Sequence, residues 1–136
     1  MPALYLALSL ETAVQEASRE YPFKIEPCIL CSYEVDCADI ADLRTDAGRS
    51  EYGASLADLS SPWESDAQER KEPASWLLAR RLIARAIAGI LVPSFAPGAT
   101  HRDENLVLWK WSERPPHQVR VFDPGGRLPR DQRSWE

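Results

Sequence analysis

The fold is decided by residues 3–17, which have the sequence ALYLALSLETAVQEA. The first six of these residues alternate so that three leucines share one face, which predicts a β-strand over residues 3–8. Ser9 then offers a helix N-cap, and apolar residues recur at the spacing of a helix that we expect to end near Glu20. This apolar stripe consists of Leu10, Ala13, Val14 and Ala17. A strand that runs directly into a helix predicts mixed α+β structure.

The rest of the chain continues the mixed pattern. Pro73 begins a predicted helix that runs to about Ala88 and that Gly89 ends. Residues 38–62 contain clusters of Asp, Ser and Gly, which predict a loop with one or two short helices. Further strands are expected at residues 28–37, 90–92, 106–111 and 119–122. We therefore expect one α+β domain over residues 1–136, with an irregular tail from Pro124.

Length and composition restrict the class of protein. The chain has 136 residues, a mass of 15.3 kDa and a hydrophobic share of 44%, which predict one globular domain and exclude general disorder. The longest apolar stretch, residues 77–92, contains three arginines and is too short to span a bilayer. The residues after Met1 lack the basic segment of a signal peptide. We therefore expect a cytoplasmic protein that does not insert into a membrane.

The net charge of −5 is divided unevenly along the chain. Residues 1–66 carry 13 acidic and 4 basic side chains, whereas residues 67–136 carry 8 acidic and 12 basic ones. Two differently solvated faces would explain this division. An acidic surface for a basic partner, together with cations near an anionic ligand, would also explain it. Because the chain as a whole is acidic, we expect no direct DNA binding.

The cysteines allow a metal or thiol site as an alternative. The odd count of three does not fit a disulfide framework. Cys28 and Cys31 have the CxxC spacing of a zinc knuckle or a redox pair, but the Ile and Leu between them favour a strand over a tight turn. No second CxxC follows, and His101 and His117 are distant in sequence. We therefore expect thiols on a strand and no bound metal.

Three short segments carry the chemistry-bearing residues. They are YLALSLETAVQE at residues 5–16, GILVPS at residues 89–94 and NLVL at residues 105–108. In this order they resemble the RES domain, the toxin half of a bacterial toxin–antitoxin pair whose partner is an Xre-like antitoxin. The family pattern has a tyrosine on a strand and a glutamate eleven residues later, as Tyr5 and Glu16 are here. The resemblance covers most of residues 3–111.

The resemblance implies a compact ADP-ribosyltransferase-like fold, in which a mixed sheet has flanking helices and NAD+ is the substrate. Family members split NAD+ at the nicotinamide–ribose bond, and the acceptor of ADP-ribose is phosphate, water or a protein side chain. The family is named for an arginine, a glutamate and a serine, of which Glu16 and Ser94 match two. The resemblance thus implies that Glu16, Tyr5 and Ser94 are catalytic, and that Tyr5, Ser94 and Asn105 contact NAD+.

The same residue types suit this chemistry on physical grounds. Cleavage of an N-glycosidic bond leaves an oxocarbenium-like ribose, whose positive charge a carboxylate such as Glu16 stabilises. A tyrosine ring stacks on nicotinamide, and a short serine side chain fixes the ligand's orientation. Each residue also has an ordinary structural explanation. Glu16 would be a solvated helix residue, Tyr5 a half-exposed strand residue, Ser94 a turn residue and Asn105 a loop cap.

Two features depart from the family pattern. The family's arginine lies on a strand just upstream of the tyrosine, whereas Met1 is only four residues before Tyr5. Either the true start lies upstream and a first strand is missing, or the chain takes its cation from elsewhere. The stand-ins are Arg80, Arg81, Arg85, Arg102 and the arginines of the tail. The family's Thr-Gln is replaced by Ser75-Trp76, and the tryptophan would reshape the pocket.

We therefore expect a toxin that transfers ADP-ribose from NAD+, with a protein side chain slightly favoured as the acceptor. The acidic segment at residues 34–66 is the candidate docking surface for such a protein. The first alternative is an NAD+ phosphorylase or glycohydrolase that depletes NAD+. The second is a catalytically degenerate RES domain that only binds its antitoxin. The antitoxin is expected to plug the NAD+ pocket near Tyr5 and Glu16.

Overall fold

The protein combines two β-sheets with helices in a computed structural model, which describes residues 3–20, 31–60, 74–96 and 98–126. In chain order the elements are β1 (Leu4–Ala7), α1 (Leu10–Glu20), β2 (Tyr33–Cys37), β3 (Ile40–Asp42), α2 (Asp46–Tyr52), α3 (Leu56–Leu59), α4 (Ala74–Ala84), β4 (Gly89–Pro93), β5 (Glu104–Leu108) and β6 (His117–Val121). This arrangement confirms the predicted α+β class. No helix in the described ranges is long and apolar enough to cross a membrane.

The larger sheet has four strands in the order β1-β5-β4-β3. β5 lies antiparallel to both β1 and β4, and β3 lies parallel to β4. The register pairs Asn105 with Ala7 on one side and with Val92 on the other. β2 and β6 form a separate antiparallel ribbon. The ends of β1 and β4 and the beginning of β5 consequently meet at one edge of the larger sheet.

Apolar clusters cover both faces of the larger sheet. Alternate residues of a strand point to opposite faces, so one strand supplies both clusters. On one face, Val92 and Val107 pack with Leu78 and Leu82 of α4. On the other, Leu106 and Leu108 pack with residues that include Val119 of β6.

The end of α4 differs from the prediction. The helix ends at Ala84, because Ala86 adopts the left-handed conformation (φ 62°) and the amides of Ala86 and Ile87 return to carbonyls of the last turn at 3.0 Å. Gly89 is therefore not the helix stop; it begins β4. A Cβ atom at Gly89 would lie 2.4 Å from the Val107 carbonyl oxygen, so close strand packing requires glycine there.

The segment predicted as a loop contains more structure than expected. The two short helices are confirmed as α2 and α3, but β3 was not predicted. Ala41 and Leu43 are fully buried, so tertiary packing against β4 stabilises a strand that is too short to show a pattern. The strand predicted at 28–37 is present as β2, and residues 28–30 lie outside the described residues. The tail from residue 127 also lies outside them.

The helix α1 buries a polar side. Ser9 caps it as predicted, since the Thr12 amide donates to Ser9 Oγ at 3.1 Å. An amphipathic helix normally buries its apolar stripe. Here Leu10 is 60% exposed and Val14 is 43% exposed, whereas Thr12 is completely buried. In the part of α1 whose side chains the structure describes, residues 10–17, the most deeply buried side chain is thus the polar Thr12 and not one of the apolar stripe.

Candidate active site

Polar side chains from neighbouring strands lie at the edge of the sheet where β5 begins. Asn105 is the second residue of β5, and Ser94 directly follows β4. Because residues two apart share a face, Asn105 lies on the same side of the sheet as Val107, and Ser94 on the same side as Val92. Val92 pairs with Asn105, so both polar residues share one face. This is the face on which α4 packs.

The Glu16 carboxylate joins these two residues. Its Oε1 atom accepts hydrogen bonds from Ser94 Oγ at 2.5 Å and from Asn105 Nδ2 at 2.8 Å. Glu16 is half-buried, and in the described part of the chain its Oε2 atom receives no hydrogen bond. The structure thus brings together three of the four predicted site residues. One carboxylate oxygen is fixed, and the other is open to a ligand.

The hydrogen bonds of Ser94 are fully assigned by chemistry. An ionised carboxylate only accepts, so Ser94 Oγ donates its proton to Glu16. The same oxygen accepts from the Ala96 amide at 3.2 Å, and the Ser94 amide donates to the Asp103 carbonyl at 2.8 Å. Ser94 is 8% exposed. Its hydroxyl therefore orients the carboxylate and is not itself free to act as a nucleophile.

Tyr5 shares the face of the site but not its hydrogen bonds. It pairs with Val107 on β5, and Ala7, two residues further along β1, pairs with Asn105. Two residues of a strand span about 7 Å, so the tyrosine begins about that far along β1 from the level of Asn105. Its side chain is 73% exposed. The ring is thus accessible for stacking against a planar ligand beside the carboxylate.

A buried network of hydroxyl and carboxylate groups adjoins the site and was not predicted from the sequence. Asp103 Oδ1 accepts from Thr12 Oγ1 at 2.7 Å, and Asp103 Oδ2 accepts from the Thr100 amide at 2.8 Å. These donors, the Thr100 amide first, hold the pKa of Asp103 below its usual range. Two spacings hinted at this network. Thr12 lies one helical turn before Glu16, and Asp103 lies two residues before Asn105.

Two arginines at the C-terminal end of α4, Arg81 and Arg85, contact α2 and its cap, and no hydrogen bond joins them to the site residues. Arg81 donates to the Gly53 carbonyl at 3.0 Å, and the Arg85 guanidinium lies 5.0 Å from the Tyr52 ring centroid. Both are held by residues of α2 and its C-terminal cap. Arg102 is exposed on the loop that connects Ser94 to Asn105, and in the described residues its guanidinium has no hydrogen bond or ion pair. Of the stand-ins that the structure describes, Arg102 is thus the one on a site loop.

A further arginine, Arg44, lies at the same edge of the sheet. It binds Asp42 through two parallel contacts of 2.9 and 2.8 Å and approaches Glu104 at 3.3 Å. These carboxylates raise the pKa of Arg44, and its hydrogen bonds lower the pKa of Asp42. Glu104 is one residue from Asn105 and so points to the opposite face. Arg44 is therefore neutralised on the far side of the sheet.

The described thiols and a surface cleft supply no hydrogen bond to the site residues. Cys31 is exposed and free, and burial raises the pKa of the free Cys37 thiol; Cys28 lies outside the described residues. Among the residues that the structure describes, no group of three His, Cys, Asp or Glu side chains is arranged to hold a metal ion.

A cleft of about 370 Å³ lies beyond the other end of β5 and contains no predicted site residue. It is lined by Trp109, Lys110, Trp111, Ser112, Pro116 and His117.

The geometry defines an α+β protein with a carboxylate fixed between a serine and an asparagine at the ends of neighbouring strands. In comparison with known families, the RES domain matches residues 1–131. The chain therefore belongs to the RES-domain family, which is linked to NAD+-related toxin function. Comparison with curated proteins and with solved structures gave no match.

Proposed function

We propose that this RES-domain chain is a toxin that splits NAD+ at the nicotinamide–ribose bond and transfers the ADP-ribose. The observation that carries the proposal is the Glu16 carboxylate, whose Oε1 atom is bound by Ser94 and Asn105 while its other oxygen is open. A fixed carboxylate with one open oxygen suits the stabilisation of positive charge on a bound ribose.

The reaction breaks the bond between ribose C1′ and the nicotinamide nitrogen. The electron pair of this bond goes to the nitrogen and neutralises the positive charge of the pyridinium ring. Positive charge develops on the ribose, where the open oxygen of Glu16 stabilises it or binds a ribose hydroxyl. An acceptor oxygen then attacks C1′ and releases its proton to solvent. Ser94 and Asn105 hold the carboxylate in place, which removes the cost of reorienting it during the reaction.

Two further residues are proposed to bind NAD+ itself. The exposed ring of Tyr5 would stack on the nicotinamide. Arg102 would supply a cation to the diphosphate, because it is exposed on the loop between Ser94 and Asn105. Arg44 is less suited to this role, since Asp42 and Glu104 already neutralise it.

We favour a protein side chain as the acceptor. Phosphorolysis of NAD+ would need a second anion site, and the described cations near the site are few because Arg44 is paired with carboxylates. A protein acceptor needs a docking surface instead. The acidic segment at residues 34–66, of which residues 34–60 are described, is the surface we propose for a basic target.

An Xre-like antitoxin is the proposed partner that silences the toxin. Apolar side chains are exposed at the beginning of α1, where Leu8 is 48% exposed and Leu10 is 60% exposed. Tyr5 is nearby in sequence and is more exposed than either leucine, at 73%. A helical partner that covers these residues would bury apolar surface and close the approach to Glu16.

The test is incubation of the purified chain with NAD+ labelled in its adenylate part. We expect nicotinamide release, which Glu16→Gln lowers by about 100-fold or more because it removes the stabilising charge. Glu11→Gln is the matched control, since Glu11 is an exposed residue of the same helix. Label on a protein band supports modification of a side chain, whereas free ADP-ribose or its 1″-phosphate supports depletion of NAD+. Intact NAD+ would leave the antitoxin-binding alternative.

A further inference from the structure

The Asp103 carboxylate links α1 to both strands of the site. Its Oδ1 atom accepts from Thr12 on α1, and its Oδ2 atom accepts from the Thr100 amide. Its backbone carbonyl accepts from the Ser94 amide at 2.8 Å, and Asn105 is two residues further along the chain. Asp103 is 8% exposed and Thr12 is completely buried. Few other side-chain hydrogen bonds in the described residues join two residues that are both this deeply buried.

The direction of each hydrogen bond follows from chemistry. Thr12 has one hydroxyl proton, and an ionised carboxylate only accepts, so that proton goes to Asp103. Ser9 Oγ, which lies 2.8 Å from Thr12 Oγ1, must therefore be the donor in that contact. Ser9 Oγ in turn accepts from the Thr12 amide. The chain Ser9–Thr12–Asp103 thus has one consistent arrangement, with the helix cap at one end and the β4–β5 loop at the other.

We propose that Asp103 is a positioning residue that holds α1 in the register that brings Glu16 to Ser94 and Asn105. Thr12 and Glu16 are four residues apart on α1 and so lie on the same side of the helix. In residues 10–17 of the helix, whose side chains the structure describes, the largest apolar side chains, Leu10 and Val14, are exposed and so contribute little to holding it. The effect on catalysis rests on the proposed function of Glu16, but the effect on the position of α1 does not.

Removal of the Thr12 hydroxyl tests the proposal. Thr12→Val keeps the volume of the side chain and leaves Asp103 Oδ1 buried without its donor. We expect kcat for nicotinamide release to fall at least about tenfold with little change in KM, because a displaced Glu16 affects the transition state more than NAD+ binding. Thr12→Ser restores a hydroxyl and is expected to recover most of this loss.

The control is Thr45→Val. Thr45 caps α2, where its side chain accepts from the Gly48 amide, and this helix does not carry a site residue. Its loss should lower the melting temperature without changing kcat. Unchanged kcat in Thr12→Val, or an equal loss of kcat in Thr45→Val, would overturn the proposal. If Thr12→Val does not fold, Ser9→Ala takes its place, because it weakens the same chain of hydrogen bonds. Its kcat is then compared with that of Thr45→Val in the same way.

Hydrogen–deuterium exchange separates this proposal from the proposed function. If the wild-type chain releases no nicotinamide, the proposed function fails, but the position of α1 can still be tested. Faster amide exchange at residues 13–17 in Thr12→Val than in Thr45→Val supports the positioning role. Equal exchange in the two variants contradicts it.

Discussion

Asn105→Asp places a second carboxylate against Glu16. Asp and Asn have the same length, so an oxygen of the introduced carboxyl would replace the Nδ2 atom that now lies 2.8 Å from Glu16 Oε1. The substitution exchanges an attractive hydrogen bond for a contact between like charges. Its size can be worked out from this distance, independently of any catalytic activity.

The charge of each carboxylate is spread over both of its oxygens, so a 2.8 Å contact between the nearest atoms places the two charge centres about 4 Å apart. Two unit charges at about 4 Å repel by about 4 kcal/mol at the effective dielectric constant of a protein surface. Both residues are half-buried, so solvent screening reduces this to about 2–4 kcal/mol. The native state relieves the repulsion by binding a proton, which raises the pKa of the introduced carboxyl by about 1.5–3 units above its value of about 4 in the unfolded chain. The native state then binds more protons than the unfolded chain, so stability is retained below about pH 4 and lost as the pH rises through the raised pKa.

The assay is urea unfolding of the wild type, Asn105→Asp and Asn105→Ala between pH 4.5 and 8, pH values chosen to bracket the raised pKa. Asn105→Ala removes the same donor without adding charge and is the matched control. We expect the stability difference between the two variants to grow by about 2–4 kcal/mol across this range. Parallel pH curves for the two variants would mean that position 105 does not contact Glu16, which would refute the site geometry.

The remaining predictions concern binding, the fold and acid stability. Arg102→Gln should raise KM for NAD+ about tenfold with little change in kcat, whereas Arg85→Gln should change neither, as steady-state kinetics would show. Ala86→Gly should stabilise the fold by about 0.5–1 kcal/mol in urea, since glycine relieves the left-handed strain at some cost in chain entropy; a lower midpoint would contradict that backbone conformation. Gly89→Ala should destabilise by about 1–3 kcal/mol, and a neutral result would exclude the close strand contact. The native pKa of Asp103 is lowered, so its stabilisation is present above the pKa of about 4 that an aspartate has in the unfolded chain and is lost as the pH falls further. Asp103→Asn should therefore lose less stability than the wild type when urea unfolding is compared at about pH 5 and about pH 3, on either side of that unfolded-chain pKa.

The strands and helices that could be predicted are those whose sequence pattern is long enough to show a period. Alternation identified β1, and the proline and apolar spacing identified α4, but not its end. Ala86 holds the left-handed position that glycine usually takes, so composition pointed to Gly89 instead. The three-residue strand β3 exists because it packs on β4, and a propensity scale does not contain that contact.

The candidate site was predictable only through the resemblance to the RES domain. Spacing alone placed Glu16 beside the apolar stripe of α1 as an ordinary surface residue. Spacing could not show that the apolar stripe of α1 faces outwards. In our proposal that orientation depends on the hydrogen bond between Thr12 and Asp103, which are 91 residues apart in sequence. The structure brings together Glu16, Ser94 and Asn105, to which the resemblance assigns roles, whereas Tyr5 shares only the face; the roles themselves stay predictions.

The separation of the site residues along the chain has a consequence for synthesis. Glu16 is made before its partners, which follow 78 and 89 residues later. A nascent chain that ends before Asn105 lacks one of the two donors to the carboxylate. It also lacks β5, the strand that pairs with β4 and so aligns Ser94, the other donor. The three side chains can therefore come together only after β5, which lies between β1 and β4, has been synthesised. Translation that stops before Asn105 therefore yields fragments in which the Glu16 carboxylate cannot be held as it is in the folded chain.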